Sequence, residues 1–165
     1  MPTLLYDEPG ERSHPLRVLV VDDNYINRSL AAGWLEALEI ETVLATDGAE
    51  AVRLVEEGGE FDLVLMDLQM PVMDGIAATA RIRQFEHDHG SLAPRRMPIL
   101  AYSTETIGAD DFLRDLGFDA ALPKPFTEQD VRSCLSRWCP GRVRPRPEVL
   151  DGATVRSRGP IRRSV

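Results

Sequence analysis

Two stretches put carboxylates where apolar runs end. Residues 63–75 read LVLMDLQMPVMDG, so Asp67 directly follows four apolar residues; residues 18–23 read VLVVDD, which does the same for Asp22 and Asp23. Burying an unpaired charge is costly, so an acid in this position either caps the next segment or belongs to a site that needs it. Asp23 alone fits a cap for a helix beginning near Asn24, and a pair of aspartates by itself is weak evidence. Three acids are harder to read as caps. A basic complement follows in LPKPF, residues 122–126, where Lys124 is the only lysine among 19 basic residues. A chain that otherwise uses arginine has a use here for a compact ammonium, which can act as a point charge on a phosphate. Chance composition is the competing explanation. Ser103, closing the run MPILAYS, adds a hydroxyl.

These residues need a frame that brings them together. Five short apolar runs stand out: LRVLVV (16–21), ETVLAT (41–46), FDLVLM (61–66), MPILAYS (97–103) and the weaker DAALP (119–123). The first, third and fourth are nearly continuous in Val, Ile and Leu, as in central parallel strands covered on both faces. Helical patterns lie between them. After Asp23, Ile26, Leu30, Trp34 and Leu38 recur every fourth position, the spacing of one helix face. DGAEAVRLVEE pairs Asp47 with Glu50 as an N-cap and its partner, then carries Val52 and Val55. Residues 74–85 hold Ile76, Ala80 and Phe85 among arginines, and a weaker helix is expected over about 106–116, with Gly108 near its start. TEQDVRSCLSRW opens with Thr127 and Asp130 as a capping pair and then sets Val131, Leu135 and Trp138 on one stripe. Fivefold strand–helix alternation predicts an α/β fold, a parallel sheet with helices on both faces and right-handed connections.

In such sheets ligands bind beyond the carboxyl ends of the strands. If strands one and three are neighbours, Asp22, Asp23 and Asp67 converge there. Carboxylates so close raise one another's pKa unless something offsets them. A hard divalent cation held by oxygen does so, and Mg²⁺ suits few carboxylates plus water.

VLVVDDN, LVLMDLQMPVMDG, PILAYST and LPKPF, in this order, resemble the receiver domain of two-component response regulators. The resemblance covers residues 16–139, and the wording DDNYINR and MDLQMPVMDG is most like receivers attached to hybrid histidine kinases. It implies a flavodoxin-like doubly wound (βα)5 sheet, order 2-1-3-4-5. It implies that Asp67 is the phosphoacceptor, taking a phosphoryl group from a histidine kinase or histidine phosphotransfer protein. Mg²⁺ would be held by Asp23, Asp67 and the backbone carbonyl of Gln69, with Asp22 helping through water. Lys124 and Ser103 would take the remaining phosphoryl oxygens. Met70, Pro71, Asp74 and Gly75 would shape the loop after the nucleophile. Three features depart from the family. Ala121 stands where an aromatic is usual, three before the lysine; the span from Ser103 to Lys124 is one residue short; and Thr104 follows the hydroxyl where a smaller residue is common. The expected consequence is that any switching element lies in the segment from Thr104 to about Asp111, in place of a swinging aromatic. Between Phe85 and Met97 a longer loop is expected, with His87 and His89 in it.

Other classes fit less well. A phosphohydrolase with an aspartyl nucleophile needs a second acid two residues on, and Gln69 stands there. A receiver-like interaction module independent of phosphorylation, or a receiver fragment of a hybrid histidine kinase, remains the alternative. The net charge of −8 divides into −13 over residues 1–139 and +5 over 140–165, where seven arginines face Glu148 and Asp151. That acidic domain disfavours direct nucleic-acid binding, and the Pro/Arg-rich end reads as a flexible basic tail, too short for a DNA-binding domain. Residues 1–15 read as a second flexible segment, without the pattern of a signal peptide, and no apolar run reaches membrane-spanning length. Cys134 and Cys139 have no partners at zinc spacing, so a reduced, cytoplasmic setting is expected.

Overall fold

The computed structural model describes residues 15–89, 96–104 and 110–142. Within them strands and helices alternate: β1 (Arg17–Val21), α1 (Tyr25–Glu36), β2 (Glu41–Ala45), α2 (Gly48–Glu56), β3 (Leu63–Asp67), α3 (Gly75–His89), β4 (Ile99–Ser103), α4 (Asp110–Asp115), β5 (Ala120–Pro123) and α5 (Glu128–Trp138). All pairings are parallel, in the order β2-β1-β3-β4-β5, which is the flavodoxin-like order. The Val- and Leu-rich runs are the central strands β1, β3 and β4, and β3 and β4 are buried throughout. Burial on both faces explains why their apolar runs are continuous and not alternating.

The sheet divides the core in two. Val18, Val20, Leu65 and Leu100 pack under α1 and α5 against Ala31, Leu35, Val131 and Leu135. Leu19, Val64, Met66 and Ile99 pack on the other face against Val52, Ala78, Ile82 and Leu113 from α2, α3 and α4. Two helix caps arise as the sequence suggests: Asp47 accepts from the Glu50 amide, and Thr127 with Asp130 forms a reciprocal capping box.

Other expectations are corrected. The four-residue stripe of α1 marks its exposed face: Ile26 is 65% exposed, Leu30 54% and Trp34 36%, with Tyr25 beside them at 74%. A second apolar pair at the same spacing, Ala31 and Leu35, takes the sheet side, and Leu38 lies past the helix end against the core. Asn24, not Asp23, caps α1, its side chain accepting from the amides of Ile26 and Asn27. In α3, Ile76 and Ala80 are exposed while Ala78, Thr79 and Ile82 are buried. That helix runs on to His89, so His87 and His89 occupy its last turn and not a loop. Their ring nitrogens donate to the Asp88 carboxylate and the Phe85 carbonyl. Helix α4 has six residues, and Gly108 with most of the expected switch segment falls outside the described residues. So do 1–14 and 143–165, which hold nearly all of both expected flexible ends. Arg142 is described, and it pairs with Asp62 at 3.2 Å.

Arg83 of α3 ties the far side of the sheet together. Its guanidinium donates to the carbonyls of Gly117 and Met97 and pairs with Glu86 and Asp119. No described helix is long and apolar enough to cross a membrane.

Candidate functional site

The carboxyl ends of β1, β3, β4 and β5 point the same way, because every pairing is parallel. Asp22 and Asp23 follow β1 directly, and Asp67 is the last residue of β3. One carboxylate oxygen from each of Asp22, Asp23 and Asp67 lies within 4.8 Å of the others. The convergence implied by adjacency of strands one and three is therefore present. The three differ in burial: Asp22 is fully buried, Asp67 is 8% exposed, and Asp23 faces solvent.

Asp22 is the most heavily engaged. Its carboxylate accepts from the Asn24 amide at 2.8 Å and from Asn27 Nδ2 at 3.3 Å, while its other oxygen takes the Lys124 ammonium. Arg28 braces the same turn by donating to the carbonyls of Asp22 and Asp23 at 2.7 and 2.9 Å. Lys124 also reaches Asp67 Oδ1 at 3.3 Å. Burial pushes the Asp67 carboxyl above its ordinary range; the nearby Lys124 charge opposes this and Asp22 adds to it.

Lys124 is held from both sides of its backbone. Its amide donates to the Ser103 carbonyl at 2.8 Å, and the Lys124–Pro125 peptide is cis. Ser103, buried at the end of β4, pairs in register with Pro123, one row beyond the Asp67–Tyr102 pair. Sheet register thus brings Asp67, Ser103 and Lys124 to one edge. Gln69 is exposed and lines a cleft of about 600 Å³ with Asp23, Leu68, Met70, Pro71, Asp74 and Ile76. Its backbone N–H also donates to the Asp67 carboxylate.

The loop from Leu68 to Asp74 is tightly specified. Gly75 is required by proximity: a Cβ there would lie 1.9 Å from the Asp67 carbonyl oxygen. The Gly75 amide donates to Leu68 O, Met73 N–H to Pro71 O, and the Asp74 side chain accepts from the Ala77 amide to start α3. Val72 takes a left-handed φ of 68° and is 86% exposed, an unfavourable conformation for a β-branched residue, kept by the bonds around it. Pro71 and Gly75 were expected to carry the backbone geometry; the unusual φ falls between them.

The set of oxygen donors fits a hard cation. With both Asp22 oxygens already engaged, Asp23 and Asp67 are the carboxylates best placed to meet one directly. Four residues near the site were missed from sequence: Asn24, Asn27 and Arg28 as supports for the acidic turn, and Tyr102, whose ring lies against Lys124. Asn24 was legible as a cap, being the residue type most favoured there; the others depend on three-dimensional neighbours.

A family model described as the response regulator receiver domain matches residues 18–136. A probable histidine kinase 3 of Oryza sativa subsp. japonica is 35% identical over 144 residues, covering 78% of this chain and 14% of that protein. The chain thus spans about a seventh of the length of such curated relatives. Among solved structures, the receiver domain of the sensor histidine kinase PA1611 from Pseudomonas aeruginosa PAO1, with magnesium coordinated in its active site cleft, superposes with a TM-score of 0.64 at 32% identity. That match covers 76% of this chain and 98% of the other. The co-crystal structure of the Saccharomyces cerevisiae phosphotransfer protein Ypd1 with the receiver domain of its downstream response regulator Ssk1 matches with a TM-score of 0.68 at 32% identity, covering 75% of this chain and 88% of that one.

Proposed function

Because the chain belongs to the response regulator receiver domain family, we propose that it accepts a phosphoryl group from a phosphohistidine and holds it on Asp67. The donor is a histidine kinase or a histidine phosphotransfer protein. The observation that carries this reading is the placement of Asp67 itself: a buried carboxylate at a strand end, next to two further acids and 3.3 Å from the only lysine.

The chemistry follows from those neighbours. An Asp67 oxygen forms the new P–O bond as the donor's P–N bond breaks, and the imidazole departs with the bonding pair. Asp23, Asp67 and the Gln69 carbonyl would hold Mg²⁺, with Asp22 helping through water, and the bound cation would neutralise charge on the transferred group. Lys124 offers its ammonium to one phosphoryl oxygen and Ser103 its hydroxyl to another. The acyl phosphate so formed is labile, which suits a transient signal. The only reactions assigned to the chain are its own phosphorylation and dephosphorylation, in the cytoplasm, with no nucleic acid or membrane as direct partner.

The donor docks over α1. That helix begins two residues after Asp23, and Tyr25, Ile26, Leu30 and Trp34 give it an exposed apolar side next to the acidic cluster. A partner carrying its histidine on an apolar helix surface would cover that side while presenting the phosphoryl group to Asp67. The domain proposed to do this spans residues 16–139, followed by a basic tail.

Mass spectrometry after incubation with acetyl phosphate and Mg²⁺ tests the reading. One phosphoryl group on Asp67 is expected, with none in Asp67→Asn or in a chelator. Full labelling of Asp67→Asn would overturn it. Lys124→Arg should label poorly, since a broad planar guanidinium does not replace a point charge there.

A further inference from the structure

Lys124 has a neighbour that the acidic site does not account for. Tyr102 stands one residue before Ser103 on β4, paired in register with Asp67 on one side and Leu122 on the other. Its side chain is 3% exposed and belongs to the core under α1 and α5, opposite to the face where Ala101 packs against α2, α3 and α4. The Lys124 ammonium lies 4.2 Å from the centre of the Tyr102 ring. Behind it, the ring meets Phe126 in a tilted arrangement, 5.2 Å between centres, and Phe126 is itself buried in the same core. Two of the ammonium's neighbours are thus the carboxylates of Asp22 and Asp67, and a third is an aromatic face.

That third neighbour has work to do. A lysine head on a flexible four-carbon stem can settle at either carboxylate, and charge alone does not choose a position between them. An aromatic face attracts an ammonium within about 6 Å and does so more strongly where water is excluded. The Lys124 side chain is only 7% exposed. Burial, together with the charges of Asp22 and Asp67, pushes the Tyr102 phenol above its ordinary range, so the ring stays neutral. Ala121, exposed on β5, provides no aromatic on the other face.

We infer that Tyr102 is a positioning residue: its ring face holds the Lys124 ammonium at the point from which it meets the phosphoryl group on Asp67. The inference rests on the phosphoacceptor reading above for its consequence, and on the lysine–ring contact for its cause.

The two parts are tested separately. Lys124 is the only lysine, so isotope-labelled lysine gives one side-chain signal without ambiguity. Ring current should move its ε-methylene protons upfield in the parent chain and in Tyr102→Phe, and the displacement should vanish in Tyr102→Leu. A lysine signal unmoved by Tyr102→Leu would overturn the inference while leaving Asp67 as phosphoacceptor intact. Labelling by acetyl phosphate with Mg²⁺ should be roughly tenfold slower in Tyr102→Leu, the size of one partly desolvated cation–π contact, and restored in Tyr102→Phe. In a Lys124→Ala background, Tyr102→Leu should bring no further slowing. Equal slowing in both backgrounds would make the ring a packing element only and defeat the proposal, as would a Tyr102→Phe chain as slow as Tyr102→Leu. If Tyr102→Leu does not fold, Tyr102→Met keeps bulk without an aromatic face and takes its place in both measurements. A parent chain that takes no label would instead overturn the phosphoacceptor reading, with the lysine signal still reporting on the contact.

Discussion

Helices α1 and α5 lie on the same face of the sheet and carry apolar residues at the same four-residue spacing, yet they use them in opposite ways. In α5 the stripe Val131–Leu135 is buried, with Trp138 packed partly against the same core. In α1 the stripe Ile26–Leu30–Trp34 faces water, and Ala31 with Leu35 does the packing. Periodicity identifies a face that favours burial; it does not say what covers it. In α5 the fold covers it, and in α1 no described residue buries it, which leaves it open to the donor proposed above. Isolated exposed apolar residues are ordinary, but four on one short helix beside an acidic cleft support the docking proposed there.

The comparison predicts a large stability difference first. Leu135→Ala should cost about 2–5 kcal/mol, as a buried leucine leaves a cavity, whereas Leu30→Ala should stay within about 0.5 kcal/mol. Urea titration of both variants checks this, and similar losses would erase the distinction. Next in size is transfer from the partner. Ile26→Ala with Leu30→Ala should slow phosphotransfer from a phosphorylated histidine partner by about tenfold or more, near 1.4 kcal/mol, and leave labelling by acetyl phosphate unchanged. Loss of both together would mean that the α1 stripe supports the site and not docking.

A smaller pair of effects should show where the two helices are alike. Asn24→Ala and Thr127→Ala each remove a side-chain cap and should each cost about 1 kcal/mol, whichever way the stripes face. Unequal costs, with the larger at Thr127, would indicate that its hydroxyl also matters through the Asp130 carboxylate it meets.

The smallest effect concerns Asp67, another residue kept for use at the expense of stability. Its carboxyl is raised, so the folded chain holds a proton there more firmly than the unfolded chain does. Its ionisation therefore reduces stability as pH climbs from the ordinary carboxylate range through the raised value. With Mg²⁺ removed by a chelator, Asp67→Asn should melt above the parent at pH 7, and the gap should close in acid, where Asp67 carries no charge. A lower melting point for the variant at pH 7 would contradict the burial effect.

What the sequence showed and what it hid follow from how locally each feature is encoded. The central position of β1, β3 and β4 depends on continuous runs, and the meeting of Asp22, Asp23 and Asp67 on their directly following neighbouring strands; the strand order itself was implied only by the resemblance to receiver domains. The capping box at Thr127 and Asp130 is equally local. The facing of α1 was not legible, because Leu30 and Leu35 are both apolar and only the packed sheet decides between them. The end of α3 was misread because His87 and His89 look like loop residues, although their helical positions are stabilised by bonds within the last turn. In the sequence Tyr102 is one residue within the apolar run MPILAYS. Its meaning comes from Lys124, 22 positions later, folding back over its ring.

Helix α3 is pinned at two points. Gly75 sits so close to the Asp67 carbonyl that no side chain fits between them, and Arg83 clasps the carbonyls of Met97 and Gly117 on the far side of the sheet. Eight residues of helix separate the two, about 12 Å of rise. A rod fixed at two points eight residues apart neither tilts nor slides without breaking one fixing. Mechanically α3 is a strut, and it keeps the strand that ends in Asp67 at constant height.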